Sequence, residues 1–206
     1  MVKVVEIDAF NTAQENPWET YAARTARALD ADYHLISWSG IGIISNWTDQ
    51  EVPLEDLLMP KLYPYSDKAT DLALDNDTPE VWDNSNFVPN CIIINLGTND
   101  SGYTKRIPER VETFGKNYYD FIKQVRTSNP TATILCALGT MGQDLCKEIE
   151  HQVEGLVLEG DDKIYFMAFE LQSERDGIGS DWHPSLITHE KMAVRLEAKL
   201  REIMNW

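Results

Sequence analysis

The stretch CIIINLGTNDSG, residues 91–102, opens on four apolar residues and closes on a cluster of turn formers with Asn99 and Asp100 at its heart. A short apolar run bounded by turn formers reads as a strand buried on both faces, as in a parallel sheet. Similar runs stand at residues 2–7, 33–38, 133–138 and 164–169, with helical patterns between them. Strands alternating with helices predict an α/β domain with a largely parallel sheet.

The crossover helix between the third and fourth runs is written in Val111, Phe114, Tyr118, Phe121, Ile122 and Val125, and it ends before Asn129-Pro130. A first helix is expected over 18–29. A last one begins near His189, with Met192, Ala193, Leu196, Leu200 and Ile203 on one face. These stripes read as core. Residues 41–90 are irregular and carry Pro53, Pro60, Pro64, Pro79 and Pro89. A loop of that length in a compact domain reads as a functional insertion that shapes a cleft.

A length of 206 residues with 43% hydrophobic content is read as one domain over 1–206. The formal charge of -16, from 34 acidic and 18 basic residues without a basic stripe, argues against nucleic acid and anionic membranes as partners. A neutral, sugar-like substrate fits more easily. Cys91, Cys136 and Cys146 suit neither a disulfide framework nor a zinc site, and Cys91 and Cys136 read as buried strand residues. No metal or cofactor is expected. No targeting segment is visible, which leaves secreted and cytoplasmic placement both open.

Ligands of open parallel sheets bind beyond the carboxyl ends of the strands. Those ends, and the segment before the last helix, are SGIG (39–42), GTNDSG (97–102), GTMGQ (139–143) and GSDWHPS (179–185). His183 stands two residues after Asp181, in a loop of small and turn-forming residues. It reads either as a general base with its tautomer fixed by a neighbour or as a capping or solvated histidine. Gly40 reads either as a backbone donor to a ligand oxygen or as a tight turn, and Asn99 as a second donor or as an Asx-turn. Asp100 reads as a loop organiser. His34 and His189 read as packing or helix-surface residues, and His151 as part of a charged helix face.

Together these pieces resemble the SGNH hydrolase superfamily of serine esterases, whose Gly-x-Asn-Asp block matches GTND (97–100). The Asp-x-x-His block matches SDWHPS (180–185) with one departure, since Asp181 precedes His183 by two residues rather than three. The segments ISWSGIGI, NLGTND and DWHPS further resemble the family two carbohydrate esterases, over roughly residues 8–206. The resemblance implies a flavodoxin-like three-layer sandwich with a mostly parallel sheet, and deacetylation of a plant polysaccharide such as xylan. It implies His183 as base, Gly40 and Asn99 as oxyanion donors, and Trp182 as a sugar-stacking residue. Asp181 is left open, because either a carboxylate or a backbone carbonyl orients the histidine in such enzymes. Trp47, Trp82, Tyr63 and Tyr65 of the insertion are candidate carbohydrate contacts, and each is equally readable as packing.

The Gly-Asp-Ser nucleophile motif of that superfamily does not occur in the sequence. The run 2–7 is read either as a substitute first strand, which puts Asp8-Ala9 in the nucleophile's neighbourhood, or as an irregular arm beside a sheet that lacks its central strand, and the family's preceding β-sandwich domain is not seen. Thr12, Ser39, Ser45 and Ser101 are the alternative hydroxyls. Besides an esterase acting on acetylated oligo- or polysaccharide, the sequence admits an esterase-derived carbohydrate-binding module. A flavodoxin-like nucleotide binder is disfavoured by the lack of a Gly-rich phosphate loop.

Overall fold

The computed structural model describes residues 15–206, so the run 2–7, Asp8, Ala9 and Thr12 lie outside the described residues. Two compact units are distinguished, one holding residues up to Ser37, Gly139–Met141 and Phe169–Trp206, the other Trp38–Leu138 and Gly142–Ala168.

The second unit is an α/β sheet with its crossovers. In chain order, together with the first unit's α1 (Tyr21–Ala28) and α7 (Leu186–Met204), the helices and strands are α2 (Met59–Leu62), α3 (Lys68–Ala73), β1 (Cys91–Ile94), α4 (Asp100–Thr104), α5 (Pro108–Ser128), β2 (Thr133–Leu138), α6 (Cys146–Leu158) and β3 (Ile164–Ala168). The three strands are parallel in the order β1-β2-β3, with Cys91 opposite Thr133 and Ile134 opposite Ile164. Every residue of β2 is buried, as expected of a central strand covered on both faces. Phe114, Tyr118, Phe121, Ile122 and Val125 of α5 pack in the same core as Ile134, Cys136 and Leu138. Each large apolar side chain buried there contributes on the order of 1.5–3 kcal/mol. Pro108 at the first turn suits α5, and the helix stops at Ser128 ahead of Asn129-Pro130, as the sequence predicts.

Cys136 is fully buried and Cys91 half-buried, and burial pushes both thiols up to about 12. They behave as core residues with inert sulfur.

One strand expectation fails. Residues 33–38 form no described ladder, and Tyr33, Ile36 and Trp38 are exposed. Strand propensity measures fit to a pleated neighbour, and no described strand offers this segment an edge. The insertion is less irregular than its prolines suggest. It holds α2, α3 and two isolated antiparallel bridges, Asn46 with Leu54 and Tyr65 with Val81.

In the first unit α1 lies against α7, joined by the Thr25 hydroxyl donating to the Ala193 carbonyl at 3.2 Å. Helix α7 begins three residues before the expected His189, because the Ser185 Oγ accepts the Thr188 N–H and caps it.

Candidate functional site

The predicted site residues fall into two groups, Gly40 and Asn99 in the sheet unit and Asp181, Trp182 and His183 in the unit of α1 and α7.

In the sheet unit, strand β1 ends at Ile94 and delivers Gly97, Asn99 and Asp100 to the start of α4. The Asp100 side chain is fully buried, and it accepts the N–H groups of Ile43, Ile44 and Ser45 at 2.9, 2.7 and 3.1 Å. Three successive N–H groups converging on one anion make a nest that fixes the loop carrying them. Burial pushes the Asp100 carboxyl above the usual carboxylate range, while the backbone donors pull the other way. Asp100 is therefore the organiser of the 40–46 loop, as its place in the sequence suggests.

Asn99 completes the clamp, with Nδ2 donating to the Ile41 carbonyl at 2.8 Å. No cap bond is made by its side chain, so the amide is not spent on an Asx-turn. An amide nitrogen carries two protons, and one is left for another acceptor. Gly40 lies one residue ahead of Ile41 with φ +77, and a Cβ there would meet nothing within 4 Å. Its carbonyl accepts the Trp47 N–H at 2.9 Å, and its own N–H donates to none of the described residues. A glycine in the left-handed region with open space beside it can bring its N–H to a ligand oxygen.

The other hydroxyls of this unit are differently employed. Ser45 is fully buried, donates to the Asn46 carbonyl at 2.7 Å and accepts the Leu54 N–H. Ser101 donates to the Thr98 carbonyl at 2.6 Å. Ser39 is exposed. Of the insertion's aromatic residues, Tyr63 is packing, since it meets Phe121 edge-on and accepts from Asn129 Nδ2. Tyr65 lies under the Lys68 ammonium, whereas Trp47 is 60% exposed.

In the α1/α7 unit, residues 178–184 close into a loop through the Ile178 to Pro184 bridge and the Gly179 N–H on the His183 carbonyl at 2.8 Å. His183 Nδ1 stands 2.9 Å from the Ser180 carbonyl oxygen. A carbonyl can only accept, so Nδ1 carries the proton and Nε2 presents its lone pair. That is the tautomer a general base requires. The ring is thus oriented by the Ser180 carbonyl, whereas Asp181 is exposed, and the carboxylate alternative for Asp181 is not the arrangement found. The Ser180 carbonyl has no side-chain signature, and only the spacing of a turn three residues before a His-Pro pair could have pointed to it. Trp182 is 60% exposed beside the histidine, and Asp181 and Trp182 both take left-handed φ values, 47 and 64. Consecutive non-glycine residues in that region are held there by their surroundings.

His189 follows on α7, where Nδ1 accepts the Tyr21 N–H at 3.3 Å and the two rings stack. Burial, then the Arg24 charge and His183, holds its pKa below the ordinary histidine value. It reads as a neutral packing histidine.

No protein-family model matches the chain. It is 36% identical over 203 residues to the cellulase/esterase CelE of Acetivibrio thermocellus, covering 96% of this chain and 23% of that protein. It is 30% identical to an acetylxylan esterase/glucomannan deacetylase of Cellvibrio japonicus, covering 95% of this chain and 51% of the relative. The chain thus spans about a quarter and about half of the curated relatives it matches. Among solved structures it superimposes with a TM-score of 0.80 and 36% identity on a family two carbohydrate esterase of Clostridium thermocellum in complex with cellohexaose, covering 97% of this chain and 58% of that one. Its homologues and structural neighbours are family two carbohydrate esterases, and it shares their SGNH-type, GDSL-like α/β fold.

Proposed function

We propose that the chain is the catalytic portion of a carbohydrate acetyl esterase that removes acetyl groups from a plant polysaccharide such as xylan. The observation that carries the proposal is the His183 tautomer, with Nδ1–H held by the Ser180 carbonyl and Nε2 left as the acceptor. The printed activity of the Cellvibrio relative, acetylxylan esterase/glucomannan deacetylase, supports the substrate class.

In this reading His183 Nε2 takes the proton of a nucleophilic hydroxyl as its oxygen attacks the acetyl carbonyl carbon. Within the sheet unit, the Gly40 N–H and the second proton of Asn99 Nδ2 are the donors suited to meet the negative charge of a developing oxyanion. The protonated imidazole then gives its proton to the departing sugar oxygen, and the acetyl group stays on the hydroxyl. Water, deprotonated by the same ring, attacks the acetyl carbonyl and releases acetate. Trp182 offers an exposed indole face to the apolar side of a sugar ring.

A second reading is an esterase-derived carbohydrate-binding module, favoured by the absence of Gly-Asp-Ser from the 206 residues. One experiment separates the two. Acetate release from acetylated xylan is followed beside calorimetric titration with cellohexaose, for the unsubstituted chain and for His183→Ala. Hydrolysis abolished by the substitution supports the esterase, whereas sugar binding without acetate release in either protein sinks it in favour of the module.

A further inference from the structure

Gln172 lies outside every motif, yet its side chain reaches the loop that bears His183. Its backbone N–H donates to the Thr140 carbonyl at 2.9 Å, just past the end of β2. Gly139, the residue before, has φ +138, and a Cβ there would sit 2.4 Å from the Phe169 carbonyl oxygen. The chain is therefore closely packed where Gln172 leaves it. From that anchored point Gln172 Nε2 donates to the Trp182 carbonyl at 2.7 Å.

The Trp182 carbonyl belongs to the peptide that joins Trp182 to His183, so this bond fixes the plane from which the His183 backbone starts. On the other side of that peptide stand two left-handed residues, Asp181 and Trp182. Such conformations are strained for non-glycine residues and persist only where the surroundings impose them. The Gln172 amide is one of the groups that impose this one.

The other end of the same amide supplies a second observation. Among the described residues the buried Gln172 Oε1 has no hydrogen-bond partner, and neither has the hydroxyl of Thr140, whose carbonyl takes the Gln172 N–H. Turning the amide over would set Oε1 against the Trp182 carbonyl, two acceptors face to face, so Nε2 must point at Trp182. A buried acceptor without a partner costs stability. Gln172 thus adds little to the net stability of the fold, and an apolar side chain of similar size would serve packing at least as well. What an apolar side chain cannot do is hold the Trp182 carbonyl.

We propose that Gln172 is a positioning residue for His183, acting through the Trp182 carbonyl to keep the 180–183 turn closed and His183 in its Nδ1–H tautomer. The catalytic consequence rests on the esterase reading above, and the positioning itself does not. Gln172→Leu removes the donor and retains the bulk. In the unsubstituted chain, ¹⁵N spectra of the neutral His183 ring are expected to show Nδ1–H as the main form. In Gln172→Leu the Nε2–H form, which a free imidazole favours, rises to the majority. Amide hydrogen exchange at Gly179 and His183, both bonded within the turn, speeds up by about tenfold or more, while the thermal midpoint stays level or rises. Where acetyl release is measurable, kcat falls by tenfold or more with KM little changed.

An unchanged tautomer together with unchanged exchange at Gly179 and His183 overturns the proposal. Should Gln172→Leu fail to fold, Gln172→Met carries the same test with a flexible side chain of like volume. An unsubstituted chain that releases no acetate defeats the esterase reading alone, and the tautomer and exchange measurements still decide this one.

Discussion

Asp100 Oδ1 lies 2.7 Å from the backbone nitrogen of Ile44, and the same carboxylate takes the N–H groups of Ile43 and Ser45. One buried side chain at the start of α4 thereby holds a loop more than fifty residues upstream. Asp100→Ala strips three backbone donors of their acceptor, and each buried donor left unpaired costs about 1–3 kcal/mol. The expected outcome is a loss of roughly 3 kcal/mol or more in urea denaturation. Asp100→Asn, which keeps one carbonyl oxygen in the nest, loses less. Equal stability of Asp100→Ala and the unsubstituted chain contradicts the organising role.

Two glycines of that loop are expected to respond in opposite ways. A Cβ at Gly40 meets nothing within 4 Å, so Gly40→Ala pays only for its φ of +77, about 1–2 kcal/mol. A Cβ at Gly42 would sit 1.8 Å from the Ser45 carbonyl oxygen and 2.9 Å from Asp100 Oδ1, an overlap that backbone must move to relieve. Gly42→Ala is expected to cost several times more stability than Gly40→Ala. In esterase assays Gly40→Ala is the variant whose turnover suffers beyond its stability loss, since it displaces an N–H proposed to meet the oxyanion. Thermal melts paired with turnover rates decide both points, and a Gly40→Ala variant of undiminished turnover removes Gly40 from the mechanism.

The legibility of these features in the sequence follows from where their causes lie. The run 133–138 becomes β2 residue for residue, because a strand covered on both faces is built almost wholly of apolar side chains, here Ile134 to Leu138, and the flanking residues stop it. The run 33–38 has similar composition and is no described strand, because a ladder depends on a neighbour that local sequence does not encode. Asp100 could be recognised as an organiser from its position at a strand end. Its three partners, at positions 43–45, could not be foreseen, since they are backbone groups indifferent to residue type. The same holds for the Ser180 carbonyl on His183, and for Gln172, whose amide reaches a carbonyl ten residues on.

Trp47 is bound to the ordered loop through its backbone, with its N–H on the Gly40 carbonyl, while the residue is 60% exposed. An indole displayed on a fixed backbone offers a flat apolar face at small entropic cost to a partner. Trp47→Ala is expected to leave the urea midpoint within about 0.5 kcal/mol of its starting stability, the range of surface substitutions. On the carbohydrate-binding reading proposed above, it is expected to weaken cellohexaose binding several-fold in calorimetric titration. Tyr63→Ala should do the reverse, because that ring packs on Phe121 and its hydroxyl accepts from Asn129. Unaltered binding by Trp47→Ala assigns this tryptophan no part in sugar recognition.

His189 gives the fold a pH dependence whose sign follows from its surroundings. Burial, reinforced by Arg24 and His183, holds the folded pKa below the ordinary value, while Nδ1 is occupied by the Tyr21 N–H. In the unfolded chain the imidazole titrates near its reference pKa of about 6.5. Well above that pH both states are neutral at this site, and its contribution to stability is fully present. As pH falls below about 6.5, the unfolded chain takes up a proton that folded His189 refuses, so stability declines until the lower folded pKa is reached. His189→Gln keeps an acceptor for the Tyr21 N–H and cannot titrate. The difference in unfolding free energy between the unsubstituted chain and His189→Gln, measured in urea at pH 7.5 and again at pH 5, should therefore move against the unsubstituted chain on acidification. A difference that is constant between those pH values would mean that His189 is as free to take up a proton in the folded chain as in the unfolded one.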